Sequence, residues 1–408
     1  MTARPPVSLD PRPLDEADPL APFLERFVVS DPTLVYLDGN SLGRLPRTTV
    51  ERLRAVVGDE WGGELIRGWD HWLAEPERVG DLLGTSILGA RPGEVIVSDS
   101  TTVNFYKLAH AALDARPGRR IIVTDRSNFP TDRYVVEGLA DRRGLGIDWL
   151  DTDEIEGPQP DDVDAAIRRH PGNVALVTLS HVNYRSAAIA DMAAITELAH
   201  AAGALALWDL SHSAGSVEVD LTAAGADVAV GCTYKYLNGG PGAPAWLYVR
   251  DELQPILRNP IQGWFGQRNQ FDMGQGYEPE PGIRSWLTGT PGIVALAAAE
   301  EGIRVTAEAG MSAIRAKGIG LTEYAIALLD ARLAPLGFSL GSPRDPSRRG
   351  AHVAIRHPDA RSLTAALIDH GVVPDFREPD SIRFGLSPLT TTFADVAAGV
   401  DALVALTA

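Results

Sequence analysis

The sequence predicts an α/β protein with a large domain, whose mostly parallel central sheet is flanked by helices, and a smaller α+β domain. From about residue 90, short apolar runs typical of buried strands alternate with longer segments of helical periodicity. Two of these runs, residues 204–209 and 227–235, are joined by a connection long enough for a crossover between neighbouring parallel strands. After about Pro291 the pattern changes to long alanine-rich helical stretches and short strands, which predict the second domain.

The first half of the chain supplies most elements of the large domain. Residues 1–33 are rich in proline and contain one predicted helix near 20–29, and a turn-rich loop over 36–43 leads to a helix over 48–61. Further strands are predicted at 95–97, 120–123 and 173–179, and further helices at 103–113 and 189–202. Apolar residues along one face support the last helix, and Gly203 is a typical residue for ending it; the face comprises Ile189, Met192, Ile195 and Ala199.

The second half predicts the smaller domain. A long helix is expected from about 291 to 316 and another over 321–333, followed by a strand from 338 and a polar loop over 343–350. Strands at 351–355 and 382–384 alternate with helices at 362–370 and from 393 onward. We therefore expect three parts: an N-terminal segment, residues 1–60, that packs with the small domain; a large domain, 61–295; and a small domain, 296–408.

Composition limits the classes of function. The 408 residues carry a net charge of −17, which disfavours nucleic acid and anionic membranes as partners. One cysteine, Cys232, excludes a disulfide within the chain and a thiolate metal cluster. The start of the chain lacks the apolar core of a signal peptide, and no run of about 18 apolar residues predicts a membrane span. We expect a cytoplasmic protein without a metal site.

Asp209 and Lys235 are the most informative residues. Each ends an apolar run, and ligands of parallel sheets lie beyond the carboxyl ends of the strands, so both side chains are expected in one pocket. A buried carboxylate can keep a pyridinium nitrogen protonated, and a lysine amine can form a Schiff base; this pair is what pyridoxal phosphate (PLP) chemistry requires. Tyr234, beside the lysine, is a candidate proton donor, and His212 follows Asp209 closely.

Other strand ends carry groups that suit the same cofactor. Thr101 and Thr102 stand near a predicted helix start, where hydroxyls and free backbone N–H groups attract an anion, although simple helix capping would explain them too. Phe129 could stack on a cofactor ring and Asp132 could hydrogen-bond near it, or the aromatic ring could simply pack under the proline turn. Ser180 follows another strand and faces the same edge.

Three later segments could contribute to the pocket. Trp264 lies between glycines in a Gly-Trp-Phe-Gly segment, and Thr290 follows Gly289; both segments suit a close-packed pocket wall or an ordinary core. Arg383 on a strand of the small domain could clamp a substrate carboxylate through two parallel hydrogen bonds, or could lie on the surface.

Together these segments resemble the kynureninase family, PLP-dependent enzymes of the type I, aspartate-aminotransferase-like fold in the class V aminotransferase group. The likeness runs from about Tyr36 to Pro388, and its most specific pieces are residues 39–43 (GNSLG), 129–132 (FPTD), 209–212 (DLSH), 233–238 (TYKYLN) and 263–266 (GWFG). The resemblance implies hydrolytic Cβ–Cγ cleavage of L-kynurenine to anthranilate and L-alanine in tryptophan degradation.

The resemblance also implies roles for individual residues. Lys235 would hold the cofactor covalently, Asp209 would pair with the pyridine nitrogen, and Phe129 would stack on the ring. The phosphate would be held by Thr101, Thr102 and Tyr234, with Tyr234 also moving protons, and the cofactor's surroundings would be completed by Asp132, Ser180 and His212. Substrate contacts would come from Asn40, Ser41, Trp61, Gly289, Thr290 and Arg383, with Arg383 on the carboxylate.

A homodimer follows from the same resemblance, because Trp264 and Thr290 match positions that reach the cofactor from the other subunit. Gly289-Thr290 is more similar to the bacterial type, which implies a preference for kynurenine over its 3-hydroxy form.

Three alternatives remain: an enzyme acting on a substituted kynurenine, another class V enzyme such as a cysteine desulfurase, and a PLP-fold protein that binds a partner without catalysis. A desulfurase needs a cysteine on a mobile loop, whereas Cys232 lies in a predicted strand, where packing is its expected role.

Overall fold

A computed structural model describes residues 9–407 and confirms the predicted α/β architecture. Its strands form three sheets. In chain order they are β1 Val35–Tyr36, β2 Val95–Val97, β3 Ile121–Asp125, β4 Gly146–Leu150, β5 Val174–Ser180, β6 Leu205–Asp209, β7 Val228–Gly231, β8 Trp246–Val249, β9 Ser339–Leu340, β10 His352–Arg356, β11 Val372–Val373, β12 Asp375–Arg377 and β13 Ser381–Gly385.

The α-helices alternate with these strands in the large domain and surround the smaller sheets elsewhere. They are α1 Arg12–Glu16, α2 Arg47–Ala55, α3 Trp69–Trp72, α4 Glu75–Leu83, α5 Thr101–Asp114, α6 Pro130–Arg143, α7 Pro160–Arg169, α8 Met192–Ala201, α9 Ile293–Ala309, α10 Met311–Leu328, α11 Ala360–Asp369 and α12 Phe393–Thr407.

The large sheet has seven strands in the order β2-β8-β7-β6-β5-β3-β4. The pairs β3–β4, β3–β5, β5–β6 and β6–β7 are parallel, whereas β8 runs antiparallel to both β2 and β7. An apolar core covers each face, so the inner strands are buried on both sides. Strands β4 and β8 are absent from the sequence prediction; β4 is half-buried and lies at the sheet edge, where its apolar signal is weak.

Three predicted helices begin or end elsewhere. Helix α8 starts at Met192, because the Asp191 side chain accepts a hydrogen bond from Ala194 N (3.0 Å), and Ile189 instead pairs with Val182 in a short bridge. The expected helix across 291–316 is interrupted at Gly310, whose positive φ of 78° ends α9 before α10 begins. After α2 the chain continues as a wider π-type helix over Val56–Glu64.

The smaller domain is built on an antiparallel sheet in the order β12-β13-β10-β9, which confirms its α+β character. The N-terminal part of the chain contacts it: β1 pairs in parallel with β11, and Tyr324 donates a hydrogen bond to the Leu9 carbonyl (3.0 Å). The domain boundaries at residues 60 and 295 stay a prediction. Over residues 9–407, every helix is too short or too polar to cross a bilayer.

The segment that carries Lys235 differs from the prediction. Strand β7 ends at Gly231, so Lys235 lies in the turn that follows rather than at the end of the strand. Hydrogen bonds fix this turn: Asn238 N donates to Lys235 O (2.9 Å), and Gly43 N donates to Tyr234 O (2.8 Å). The lysine is therefore positioned by a rigid loop and by the GNSLG segment, which are far apart in sequence.

Gly302 of helix α9 packs against the same turn. A methyl group at this position would lie 2.0 Å from the Leu237 carbonyl oxygen, so we expect Gly302→Ala to lower the free energy of unfolding by about 1–3 kcal/mol. Gly138→Ala in α6 is the matched control, since nothing lies within 4 Å of its added methyl; it should stabilise by up to about 1 kcal/mol. Urea unfolding measures both, and an unaffected Gly302→Ala variant would contradict this packing.

Candidate active site

One cavity of about 160 Å³ collects most of the residues that the sequence singles out. It opens at the carboxyl ends of the parallel strands, where Ser180 ends β5 and Asp209 ends β6 as direct register partners. Its walls consist of Thr101, Thr102, Phe129, Thr131, Asp132, Ser180, Val182, Tyr184, Asp209, Ser211, His212, Tyr234 and Lys235. The structure thus brings Asp209 and Lys235 into one pocket.

Two buried carboxylates meet at the floor of this cavity. Asp209 accepts a hydrogen bond from Ser211 N (2.6 Å), and Asp132, at the start of α6, interacts with Asp209 through charge and a side-chain hydrogen bond. Burial, reinforced by the charge of Asp209, raises the pKa of Asp132 well above its usual range. Oδ2 of Asp132 finds no donor among residues 9–407. The two carboxylates can therefore share one proton, or they can accept a hydrogen bond from one cationic N–H group of a ligand.

Lys235 faces a histidine that is held neutral. Its Nζ lies 2.9 Å from His212 Nε2, and burial, followed by the charge of Lys235, keeps the pKa of His212 well below its usual range. The neutral ring can accept a hydrogen bond from the amine without adding positive charge. Lys235 Nζ also lies 5.7 Å from the centre of the Phe129 ring, so the amine is reachable from the cavity.

His352 is a buried residue beside the site that sequence reasoning missed. It belongs to β10 of the small domain, and its ring centre lies 5.5 Å from that of His212. Its ring nitrogens have no side-chain hydrogen-bond partner within the described part of the chain, although the ring interacts with the Arg185 backbone. The alternating pattern of residues 351–355 predicts a buried face for this strand, but no local signal places it next to His212.

The far end of the cavity is suited to an anion. Helix α5 begins at Thr101, not at Val103, because Ser100 caps it and accepts a hydrogen bond from Val103 N (3.4 Å). The first N–H groups of a helix have no acceptor within the helix, and its N-terminus attracts negative charge. With the Thr101 and Thr102 hydroxyls on the wall, this end can hold a phosphate.

A flat wall lies between these two ends. Phe129 immediately precedes α6, and its ring packs edge-on against Tyr184 at 5.3 Å between ring centres. Asn128 fixes it, since Asn128 Oδ1 accepts hydrogen bonds from Phe129 N (2.8 Å) and Ser180 Oγ (2.7 Å). Tyr234 is also part of the lining; the nearby Cys232, and then burial, raise its pKa. The phenol therefore stays protonated and able to donate.

Arg383 is neither an open clamp nor a surface residue. It is buried, and its guanidinium is held by Asp375 through Nε–Oδ1 (2.9 Å) and Nη2–Oδ2 (2.5 Å). Ser41 Oγ accepts from Nη2 (3.1 Å), and in the amide orientation that satisfies its hydrogen bonds Asn40 accepts from Nε (2.8 Å). The role of Arg383 toward a substrate carboxylate therefore stays a prediction, and its partner Asp375 is a residue that the sequence did not indicate.

Seven predicted site residues are not part of the lining of the Lys235 cavity: Asn40, Ser41 and Arg383, which form the cluster just described, and four others. Trp61 and Trp264 are exposed, at 59% and 42% of their surface. Gly289 and Thr290 line a second cavity of about 260 Å³, together with Asp99 and Leu296. Within one chain these residues therefore do not meet Lys235.

Asp38 lies near the Arg383 cluster and carries a pH-dependent cost. Burial, and then the charge of Asp375, raises its pKa from 3.8 to about 6. Between pH 3.8 and about 6, Asp38 therefore keeps its proton in the folded protein but loses it in the unfolded chain. The contribution of Asp38 to stability is fully present below pH 3.8 and is lost as the pH rises through about 6. We expect Asp38→Asn to raise the melting temperature at about pH 8 and to lose this advantage near pH 4. Parallel melting curves across pH test this, and a pH-independent difference would contradict it.

The cavity fits pyridoxal phosphate, by the chemistry of its donor groups and by the buried Oδ2 of Asp132, which has no hydrogen-bond partner among residues 9–407. An amine for the aldehyde, an acid pair for the pyridine nitrogen and a helix N-terminus for the phosphate surround one small space. Among residues 9–407, no three His, Cys, Asp or Glu side chains are grouped as metal ligands would be. Fold and site together define a PLP-dependent enzyme of fold type I.

Comparison with solved structures agrees on the fold. The apo cysteine desulfurase of Thermococcus onnurineus NA1 superposes with a TM-score of 0.80 at 19% identity, covering 100% of this chain and 99% of that one. The cysteine desulfurase CsdA of Escherichia coli gives 0.79 at 19% identity, covering 95% and 99%. At these identities the similarity concerns the fold.

Sequence relatives are more specific. The model of the kynureninase C-terminal domain matches residues 314–403. The kynureninase of Pseudomonas fluorescens is 46% identical over 391 residues, covering 94% of this chain and 91% of the relative. That of Burkholderia pseudomallei (strain 1106a) is 44% identical over 402 residues, covering 96% and 93%. The chain belongs to the kynureninase family.

Proposed function

We propose that the protein is a kynureninase that hydrolyses the Cβ–Cγ bond of L-kynurenine, giving anthranilate and L-alanine. The observation that carries the proposal is the enclosure of Lys235, Asp209 and Asp132 around one cavity, in a chain 46% identical to a kynureninase over nearly its whole length. A cysteine desulfurase would need a cysteine on a mobile loop. Cys232 does not fit this role, because it is buried and its Sγ lies 3.7 Å from Ser211 O.

Each wall of the cavity has a proposed task toward the cofactor. Lys235 would bond the aldehyde, while Asp209, which interacts with Asp132, would keep the pyridine nitrogen protonated. Thr101 and Thr102 bind the phosphate together with Tyr234, and Phe129 covers one ring face. Ser180 and His212 complete these surroundings, with His212 holding the lysine amine.

The reaction needs proton movements that these residues can provide. When bound, PLP supplies an electron sink for the charge left at the substrate α-carbon. The Lys235 amine would take the proton that leaves this carbon, and Tyr234 would donate a proton to the γ-carbonyl oxygen as water adds to that carbonyl. Collapse of the hydrated carbonyl would break the Cβ–Cγ bond and release anthranilate. Alanine would then form when Cβ gains one proton and Cα regains the proton that Lys235 took. Positioned proton transfer of this kind typically contributes a factor of about 10²–10⁴.

The substrate is proposed to contact residues from both the small domain and the N-terminal segment. Arg383 holds its carboxylate, with Asn40 and Ser41 beside it. We further propose a cytoplasmic homodimer in which Trp264, Gly289 and Thr290 reach the partner's site, while Trp61 lines the aromatic subsite. Their exposure, or their location around a separate cavity, supports such a role.

The decisive experiment supplies the purified protein with PLP and either L-kynurenine or 3-hydroxy-L-kynurenine. Anthranilate or 3-hydroxyanthranilate is measured together with alanine, and we expect faster release of anthranilate. L-cysteine serves as a comparison substrate that should release little sulfide. Lack of alanine from both kynurenines would rule out the proposed activity, whereas faster cleavage of a ring-substituted kynurenine would favour the related enzyme of secondary metabolism.

A further inference from the structure

We propose that Asp375 is a positioning residue for substrate binding: it occupies one edge of the Arg383 guanidinium and thereby leaves a single edge for the substrate carboxylate. The inference rests on the proposed function, in which Arg383 binds that carboxylate. It assigns a role to an acid that the sequence analysis did not single out.

The contact is set by strand register. Asp375 and Arg383 are direct cross-strand partners in the antiparallel pair β12–β13, so their side chains leave the sheet on the same face. Asp375 takes the Nε–Nη2 edge of the guanidinium with bonds of 2.9 and 2.5 Å. Such a side-on, two-bond contact fixes both the position and the plane of the arginine head.

The other edge of the guanidinium has uncharged partners. Nη1 donates to the Tyr184 carbonyl oxygen, and Nη2 donates to the Ser41 hydroxyl at 3.1 Å. Tyr184 is also part of the wall of the Lys235 cavity, so one residue connects this edge with that cavity. A substrate carboxylate can take the place of the weaker hydroxyl contact there without displacing another charge.

Asp375 contacts a second arginine besides Arg383. Arg377 Nη2 lies 2.7 Å from Asp375 Oδ2, so one acid serves two arginines, and Asp38 is the other acid whose charge acts on this cluster. A guanidinium offers two edges that each accept a carboxylate through two bonds. With one edge filled, the substrate has one binding pose, and its α-carbon is held at a fixed place relative to Lys235.

Two substitutions separate geometry from charge. Asp375→Asn keeps the shape but removes the charge and turns an amide N–H toward an arginine donor; Asp375→Glu keeps the charge but lengthens the side chain. Asp330→Asn is the control, because Asp330 forms a similar two-bond pair with Arg344 on the surface (2.9 and 2.8 Å). For each holoenzyme, KM and kcat for L-kynurenine are measured with the inhibition constant of kynurenamine, the analogue without the carboxylate.

We expect both Asp375 variants to raise KM for L-kynurenine about 10-fold or more, with a smaller fall in kcat, while kynurenamine inhibition changes by less than about 3-fold. Asp330→Asn should resemble the parent. The proposal is overturned if Asp375→Asn binds L-kynurenine more tightly, if Asp375→Glu behaves like the parent, or if both ligands lose affinity equally. If one variant does not fold, the other decides, and turnover by the parent tests the proposed function independently.

Discussion

Lys235→Ala should abolish covalent cofactor binding and reduce the release of anthranilate by at least about 1,000-fold. The substitution removes the amine that bonds the aldehyde and also the group proposed to move the α-proton, so two contributions are lost together. The measurements are the visible absorbance of the protein after incubation with PLP and removal of the excess, and the initial rate with L-kynurenine.

The other lysines of the chain provide the control. Lys107 is buried and pairs with Asp99 (2.8 Å), and Lys317 pairs with Asp18 (2.7 Å). Lys317→Arg keeps that ion pair and should retain both the absorbance and the activity. If the Lys235→Ala protein keeps the absorbance band of the lysine-bound cofactor, another lysine holds the cofactor and the site is misassigned.

The carboxyl ends of the parallel strands could be predicted because they depend on neighbouring residues in the sequence. A buried strand is recognisable from its apolar run, and its end from the first polar residue, so Ser180 and Asp209 were expected at one sheet edge. Their register pairing in the structure confirms that expectation. For Lys235 the shared pocket was correct although the strand was drawn too long, because the turn after Gly231 also remains apolar.

The second half of the site depends on contacts between distant parts of the chain. His352 lies on β10 and Asp375 on β12 of the small domain. The neighbouring sequence contains no signal that predicts which residues they contact. The partners of Arg383 follow from the register of β12 against β13 and from its contact with Ser41, more than 300 residues away. A single sequence contains the residue types but not these pairings.

The acid pair should respond to substitution in a way that one isolated carboxylate would not. Asp209→Asn is expected to lower kcat at least about 100-fold with a smaller effect on KM, because the pyridine nitrogen loses the negative charge that keeps it protonated. Initial rates with L-kynurenine measure both constants, and an Asp209→Asn enzyme as fast as the parent would contradict the assignment.

The remaining activity of that variant should depend on Asp132. Burial is the first cause of its raised pKa, and the charge of Asp209 is the second. Removing the Asp209 charge therefore lowers the pKa of Asp132, and the second acid can ionise and partly replace the first. Asp132→Asn alone should be milder than Asp209→Asn, whereas the double variant should lose more activity than the two single effects combined. Rates for all three variants across pH complete the test: strictly additive losses would mean that the two carboxylates act independently, and that no proton is shared between them.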